Sequence, residues 1–82
     1  MNETEIQRVV IEALDNIAPE AGAASVDPKA DVRAALDIDS MDFLNFVTAL
    51  HKALQVDIPE ADHPKLFSVA GAVEYLMCKV GA

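Results

Sequence analysis

The chain contains no tryptophan, a single cysteine, and only 6 lysines and arginines against 14 aspartates and glutamates. Each shortage excludes something. One cysteine, Cys78, rules out an internal disulfide and any metal site built on several thiolates, and it fits a reducing, cytoplasmic setting. The shortfall of basic residues leaves a formal net charge of −8. That charge disfavours nucleic acid and anionic lipid and favours partners with basic surfaces. No apolar run approaches the roughly 18 residues that cross a bilayer, so membrane insertion is not expected. The start, MNETEIQRVV, has acids at Glu3 and Glu5 and no basic n-region, so it does not read as a signal peptide. With aromatics at 5%, the core is expected to be aliphatic.

What is present reads as helix. At 82 residues there is room for one domain, residues 1–82, with a small core, and a monomer is expected. Ile6, Val9, Val10, Ala13, Leu14 and Ile17 form one apolar stripe at helical spacing. Asn2 or Thr4 can cap this helix, and Pro19 and Gly22 stop it. A long irregular stretch runs from Ala18 to Asp39. It holds one candidate short element, Asp31 to Leu36, with Asp31 as its cap. Val26, Val32, Leu36 and Ile38 can pin this stretch to the core.

A second helix is expected from Ser40 to about Leu54, left through Val56 and Ile58 and broken by Pro59. The segment EADHPKLF is weak, because Pro64 resists a helix interior, and one short turn at most is expected there. Ser68 can cap a last helix whose stripe is Val69, Val73, Leu76, Met77 and Val80, with Gly81 ending it. No segment reads as a strand. The fold class is all-α, a small bundle of three to four helices.

The second helix carries apolar residues on two faces. At about 100° per residue from Ser40, its core arc holds Phe43, Phe46, Val47, Leu50 and Leu54, between roughly 240° and 340°. Met41, Leu44 and Thr48 fall on the other side of Ser40, between roughly 40° and 100°. Met41 and Leu44 there could form a docking patch or extend the core.

Ser40 itself admits three roles. It or Asp39 can simply cap the helix. A nucleophilic serine would need a base within hydrogen-bond reach. His51 is about 16 Å further along the same helix, His63 has no evident orienting partner, and no G-x-S-x-G turn is present. Catalysis is therefore not expected. In the third role Ser40 is the substrate of another enzyme. A phosphate attached there would meet free backbone N–H groups and the positive end of the helix dipole. His51, His63 and the acids of PEADH lack any recurring metal-ligand spacing. Cys78 falls opposite the last helix's stripe, so it is expected to be exposed, a bystander that oxidation could link into dimers.

With the motif LDIDSMD opening a helix, VDIP closing it and LFSVAGAVEYL ending the chain, the sequence resembles the acyl carrier proteins over nearly its whole length. The resemblance implies that Ser40 carries a 4′-phosphopantetheine arm, transferred from coenzyme A by a phosphopantetheinyl transferase, whose thiol holds an acyl group as a thioester. It implies docking by Asp39, Met41, Leu44 and Thr48 to acyl ligases, acyltransferases or synthases. It makes Phe43, Phe46, Val47 and Leu50 candidates to line an acyl pocket. Fatty-acid, lipid or polyketide-type biosynthesis is the implied setting. A peptidyl or aminoacyl carrier, or a helical interaction module without an arm, is the alternative.

Two departures matter. Asp37 stands where the family usually has glycine. Between Ser40 and Leu54 the only formal charges are Asp42 and Lys52, where many fatty-acid carriers are strongly acidic. Asn45, His51 and Lys52 replace common acids. A neutral second helix implies docking that rests on apolar contact more than on ion pairs, and so a specialised carrier with its own enzyme set. The large Phe43 and Phe46 side chains further imply a cargo that is short or held outside the bundle.

Overall fold

The computed structural model describes residues 2–80. Four α-helices follow in order: α1 (Glu3–Ile17), α2 (Val32–Ala35), α3 (Ser40–Leu54) and α4 (Val69–Val80). There is no strand among the described residues. Helix α1 packs against both α3 and α4. The expected end of the last helix at Gly81 lies outside the described residues.

Helix α1 starts at Asn2, whose side-chain oxygen accepts from Glu5 N–H at 2.9 Å, so Asn2 and not Thr4 is the cap. Its stripe divides by depth. Ile6, Val10, Ala13 and Leu14 are buried, and Val9 and Ile17 are packed at the margin. The stretch after α1 is more ordered than the sequence suggests. Two short 3₁₀ turns, Pro19–Ala21 and Ala23–Ser25, precede the expected element at α2. Asp31 caps α2, accepting from Arg33 N–H at 2.9 Å. Val32, Leu36 and Ile38 are buried and Val26 is half-buried, so all four expected pins reach the core.

One expectation is corrected. Glu60–Leu66 is a 3₁₀ helix of 7 residues with Pro64 inside it, not one short turn. At three residues per turn this exceeds two turns, long for a 3₁₀ helix. Tertiary contacts outweigh the weak local propensity. Leu66 is fully buried, and the Tyr75 hydroxyl donates to Asp62 Oδ2 at 2.6 Å. The Lys65 and Lys79 ammonium groups lie 5.7 and 5.5 Å from the Tyr75 ring centroid. A glycine allows α4 to sit this close: a Cβ at Gly71 would meet the Lys65 carbonyl oxygen at 2.8 Å.

The last helix starts as expected, with Ser68 Oγ accepting from Gly71 N–H at 3.0 Å. It buries more than the expected stripe. Ala72 and Tyr75 join Val69, Val73 and Leu76 inside, while Met77 and Val80 are only half-buried. The core is mainly aliphatic, but Phe43, Phe46 and Tyr75 also belong to it.

Candidate functional site

The site begins with a division of labour at the start of α3. Asp39 is the N-cap: its Oδ1 accepts from Asp42 N–H at 2.8 Å, and its carbonyl accepts from Phe43 N–H at 3.0 Å. Ser40 is therefore the first helical residue, exposed, with its hydroxyl not needed for capping. The other two serines of the chain differ. Ser68 Oγ is half-buried and committed to its own helix start, and Ser25 ends a 3₁₀ turn far in sequence from any long helix. Among the three serines, only Ser40 combines an exposed hydroxyl with the N-terminus of a long helix. The first amides of that helix have no intrahelical acceptor, and the helix dipole is positive there.

The turn that presents Ser40 is held in place from behind. Ile38 is buried, and its N–H donates to the Arg33 carbonyl at 3.1 Å. Asp37 adopts φ 54, in the left-handed region that favours glycine. Asp37 thus holds a backbone shape that glycine would adopt without steric cost. Aspartate is among the residues that tolerate it best.

The face of α3 divides as its periodicity predicts. Phe43, Phe46, Val47 and Leu50 are buried. Met41 is 67% exposed and Leu44 46% exposed, the two large apolar side chains of the described chain that stand out from the surface. Thr48, Asn45, His51 and Lys52 are exposed as well. The alternatives for Met41 and Leu44 therefore resolve toward a surface patch, adjacent to Ser40.

At the far end, α3 closes on Gln55, also left-handed at φ 53. His51 Nδ1 lies 2.6 Å from the Val56 carbonyl oxygen. A carbonyl can only accept, so Nδ1 is the donor in this bond. The ring is thereby fixed about 16 Å along the helix from Ser40. His63 packs edge-on against Phe43, 6.2 Å between centroids. Among the described residues no cluster of His, Cys, Asp or Glu is arranged to hold a metal ion, and Cys78 is exposed.

Sequence reasoning missed the Tyr75–Asp62 pair. Burial first, and then the bond to Asp62, pushes the Tyr75 hydroxyl up to about 12. The same bond, helped by Lys65 and Lys79, holds the Asp62 carboxyl below the usual range. This pair ties the Glu60–Leu66 segment to α4. Its signal in the sequence was one tyrosine off the expected stripe.

An exposed hydroxyl free of structural duty, at a helix start bordered by apolar side chains, suits covalent attachment of a phosphate-linked group. The family model described as "Phosphopantetheine attachment site" matches residues 5–75. Among curated proteins, the acyl carrier protein of Campylobacter fetus subsp. fetus is 33% identical over 72 residues, covering 88% of this chain and 87% of its own. That of a Picosynechococcus strain is 31% identical over 77 residues, covering 94% and 89%. A Helicobacter pylori acyl carrier protein is 31% identical over 72 residues, covering 88% and 86%. The helical scaffold and this attachment domain define a phosphopantetheine-dependent carrier, which is not itself a catalyst. More particularly, the chain belongs to the acyl carrier protein family, whose cofactor is 4′-phosphopantetheine.

Proposed function

We propose that Ser40 is the attachment residue, in a single-domain, monomeric carrier of acyl thioesters. The observation that carries this reading is the first turn of α3: Asp39 does the capping, and Ser40 is left exposed beside Met41 and Leu44. In the proposed reaction Ser40 Oγ displaces adenosine 3′,5′-bisphosphate from coenzyme A. One P–O ester bond forms as the pyrophosphate P–O bond breaks, and the transferase takes the hydroxyl proton. The arm then supplies the thiol on which an acyl group is held as a thioester. The protein's own part is to present the hydroxyl, offer unpaired helix-start amides to the phosphate, and give partners a surface to grip.

Docking in this reading falls to Asp39, Met41, Leu44 and Thr48. The partners are a phosphopantetheinyl transferase and acyl-handling enzymes, namely ligases, acyltransferases or synthases. The neutral charge of α3 supports a specialised carrier in fatty-acid, lipid or polyketide-type biosynthesis, read mainly through apolar contact. The test is intact-mass measurement after incubation with coenzyme A and a transferase of broad specificity. Wild type is expected to gain one arm, and Ser40→Ala none while staying folded. A folded wild-type protein that gains nothing overturns the reading in favour of an interaction module.

A further inference from the structure

The turn that presents Ser40 follows directly on α2, a helix of only 4 residues. A helix this short has little stability of its own in water, so other contacts must hold it. Two of them end on one residue, Phe67, just past the Glu60–Leu66 helix. Val32 N–H donates to the Phe67 carbonyl at 2.7 Å. The Arg33 guanidinium lies 3.6 Å from the Phe67 ring centroid. Asp31 keeps the guanidinium there, accepting from Nε at 3.1 Å and from Nη2 at 2.7 Å. The same carboxylate caps α2, so one side chain both starts the helix and aims its arginine.

Phe67 is also met from the other side of Ser40. Its ring packs edge-on against Phe43, with centroids 5.2 Å apart. Phe43 follows Ser40 in the first turn of α3, and Arg33 precedes it on α2. From Arg33 the tie runs on through the backbone. The Arg33 carbonyl accepts from Ile38 N–H at 3.1 Å, and Asp37 just before Ile38 takes its left-handed φ of 54. The two flanks of the serine therefore meet on one ring, whose neighbour Leu66 is fully buried in the core.

None of this is strong enough to matter to the whole bundle. The Arg33 and Asp31 side chains are 44% and 40% exposed, where an ion pair adds little. An exposed cation–π contact is modest as well. Contacts of this size decide the shape of a marginal turn and not the stability of a core.

We propose that Arg33, acting through Phe67, is a positioning residue for arm attachment, setting the shape of the turn from Asp37 to Ser40 that a transferase recognises. The inference rests on attachment at Ser40. A turn that already holds its bound shape spares the complex the cost of ordering it. Loss of the clamp weakens recognition of the carrier and leaves the chemistry on the bound carrier alone. It acts on KM and not on kcat.

The test compares wild type with Arg33→Ala, Arg33→Lys, Phe67→Leu and the double variant Arg33→Ala/Phe67→Leu. Amide hydrogen exchange followed by NMR needs no arm, so it reads the clamp separately from attachment. In Arg33→Ala the Ile38 amide is expected to exchange about fivefold faster, a local change of about 1 kcal/mol at about 1.4 kcal/mol per tenfold. The buried Val10 amide of α1 reports the whole bundle and is expected to change by less than about twofold. Attachment from coenzyme A by a phosphopantetheinyl transferase of broad specificity is then followed by intact mass at varied carrier concentration. KM for the carrier is expected to rise about two- to fivefold in Arg33→Ala and in Phe67→Leu, with kcat unchanged. Arg33→Lys keeps the charge without the planar guanidinium and is expected to fall between wild type and Arg33→Ala. The double variant is expected to be no worse than Phe67→Leu, because the two residues act as one.

Equal quickening at Ile38 and Val10 overturns the inference, since the loss is then of overall stability. A raised KM with Ile38 exchange unchanged also overturns it, because Arg33 would then touch the transferase itself. So does faster Ile38 exchange with KM unchanged, which means that the turn's shape is not what the enzyme reads. A folded wild type that gains no arm overturns the attachment reading, and the positioning role with it.

Discussion

Helices α1 and α3 have the same length, 15 residues, and each buries four side chains. Their outer faces differ. The surface of α1 is polar, with Glu3, Glu5, Gln7, Arg8, Glu12, Asp15 and Asn16 exposed. The surface of α3 shows Met41 and Leu44 and carries only Asp42 and Lys52 as formal charges. Helix α1 has the apolar residues that folding requires and no more. Helix α3 has two more, and they stand beside the exposed serine. Hydrophobic side chains beyond the needs of the core are what separate a helix that supports from one that also presents.

The sharpest way to test that division is to truncate one residue from each face of α3. Phe46→Ala is expected to cost about 3–5 kcal/mol, comparable to the whole stability of a small domain, and so to leave the protein largely unfolded. Leu44→Ala should change stability by no more than about 0.5 kcal/mol. Urea denaturation followed by circular dichroism checks both. Equal costs would mean that Leu44 belongs to the core.

A smaller effect reads the outer face directly. Leu44→Glu is expected to leave the melting temperature nearly unchanged while slowing acyl loading by a partner ligase about tenfold, the loss of roughly one buried anchor. The wild-type loading rate should vary little with added salt, because few ion pairs are screened. A steep fall with salt would show that the acids outside α3 govern docking after all.

The smallest effect lies where neither helix decides, in the Tyr75–Asp62 bond that ties the Glu60–Leu66 segment to α4. The folded Asp62 carboxyl titrates below its ordinary value, so its contribution is present above about pH 4 and is lost as pH falls through the folded value. Tyr75 titrates at about 12, above its ordinary 10.0, so its contribution is present below pH 10 and is lost as pH rises through about 12. Tyr75→Phe should cost about 1 kcal/mol near neutrality and flatten both limbs of a melting-temperature profile against pH. An unchanged profile would mean that the bond does not tie the segment down.

The parts of this molecule legible in its sequence are those set by periodicity and caps. The buried and exposed faces of α3 followed from its 3.6-residue repeat, and the starts at Asp31 and Ser68 from side chains suited to accept an amide, while the cap of α1 was left between Asn2 and Thr4. The choice between Asp39 and Ser40 as cap was not legible, since either residue type serves. What escaped was held by distant partners. The 3₁₀ helix over Glu60–Leu66 contains a proline and little local preference, and it forms because Leu66 finds the core and Asp62 finds Tyr75. The left-handed backbone at Asp37 was hidden because aspartate, unlike glycine, does not advertise it. The clamp of Asp31 and Arg33 on Phe67 joins residues more than thirty positions apart, a distance that no local pattern spans.

The central claim is chemical and local: of three serines, the one at the start of α3 bears the arm. Fragment mass spectrometry of the protein after loading by a transferase tests it most directly. The account predicts the added mass on the peptide containing Ser40, with Ser25 and Ser68 unmodified. An arm found on either of those, or a folded protein that accepts none, would contradict it.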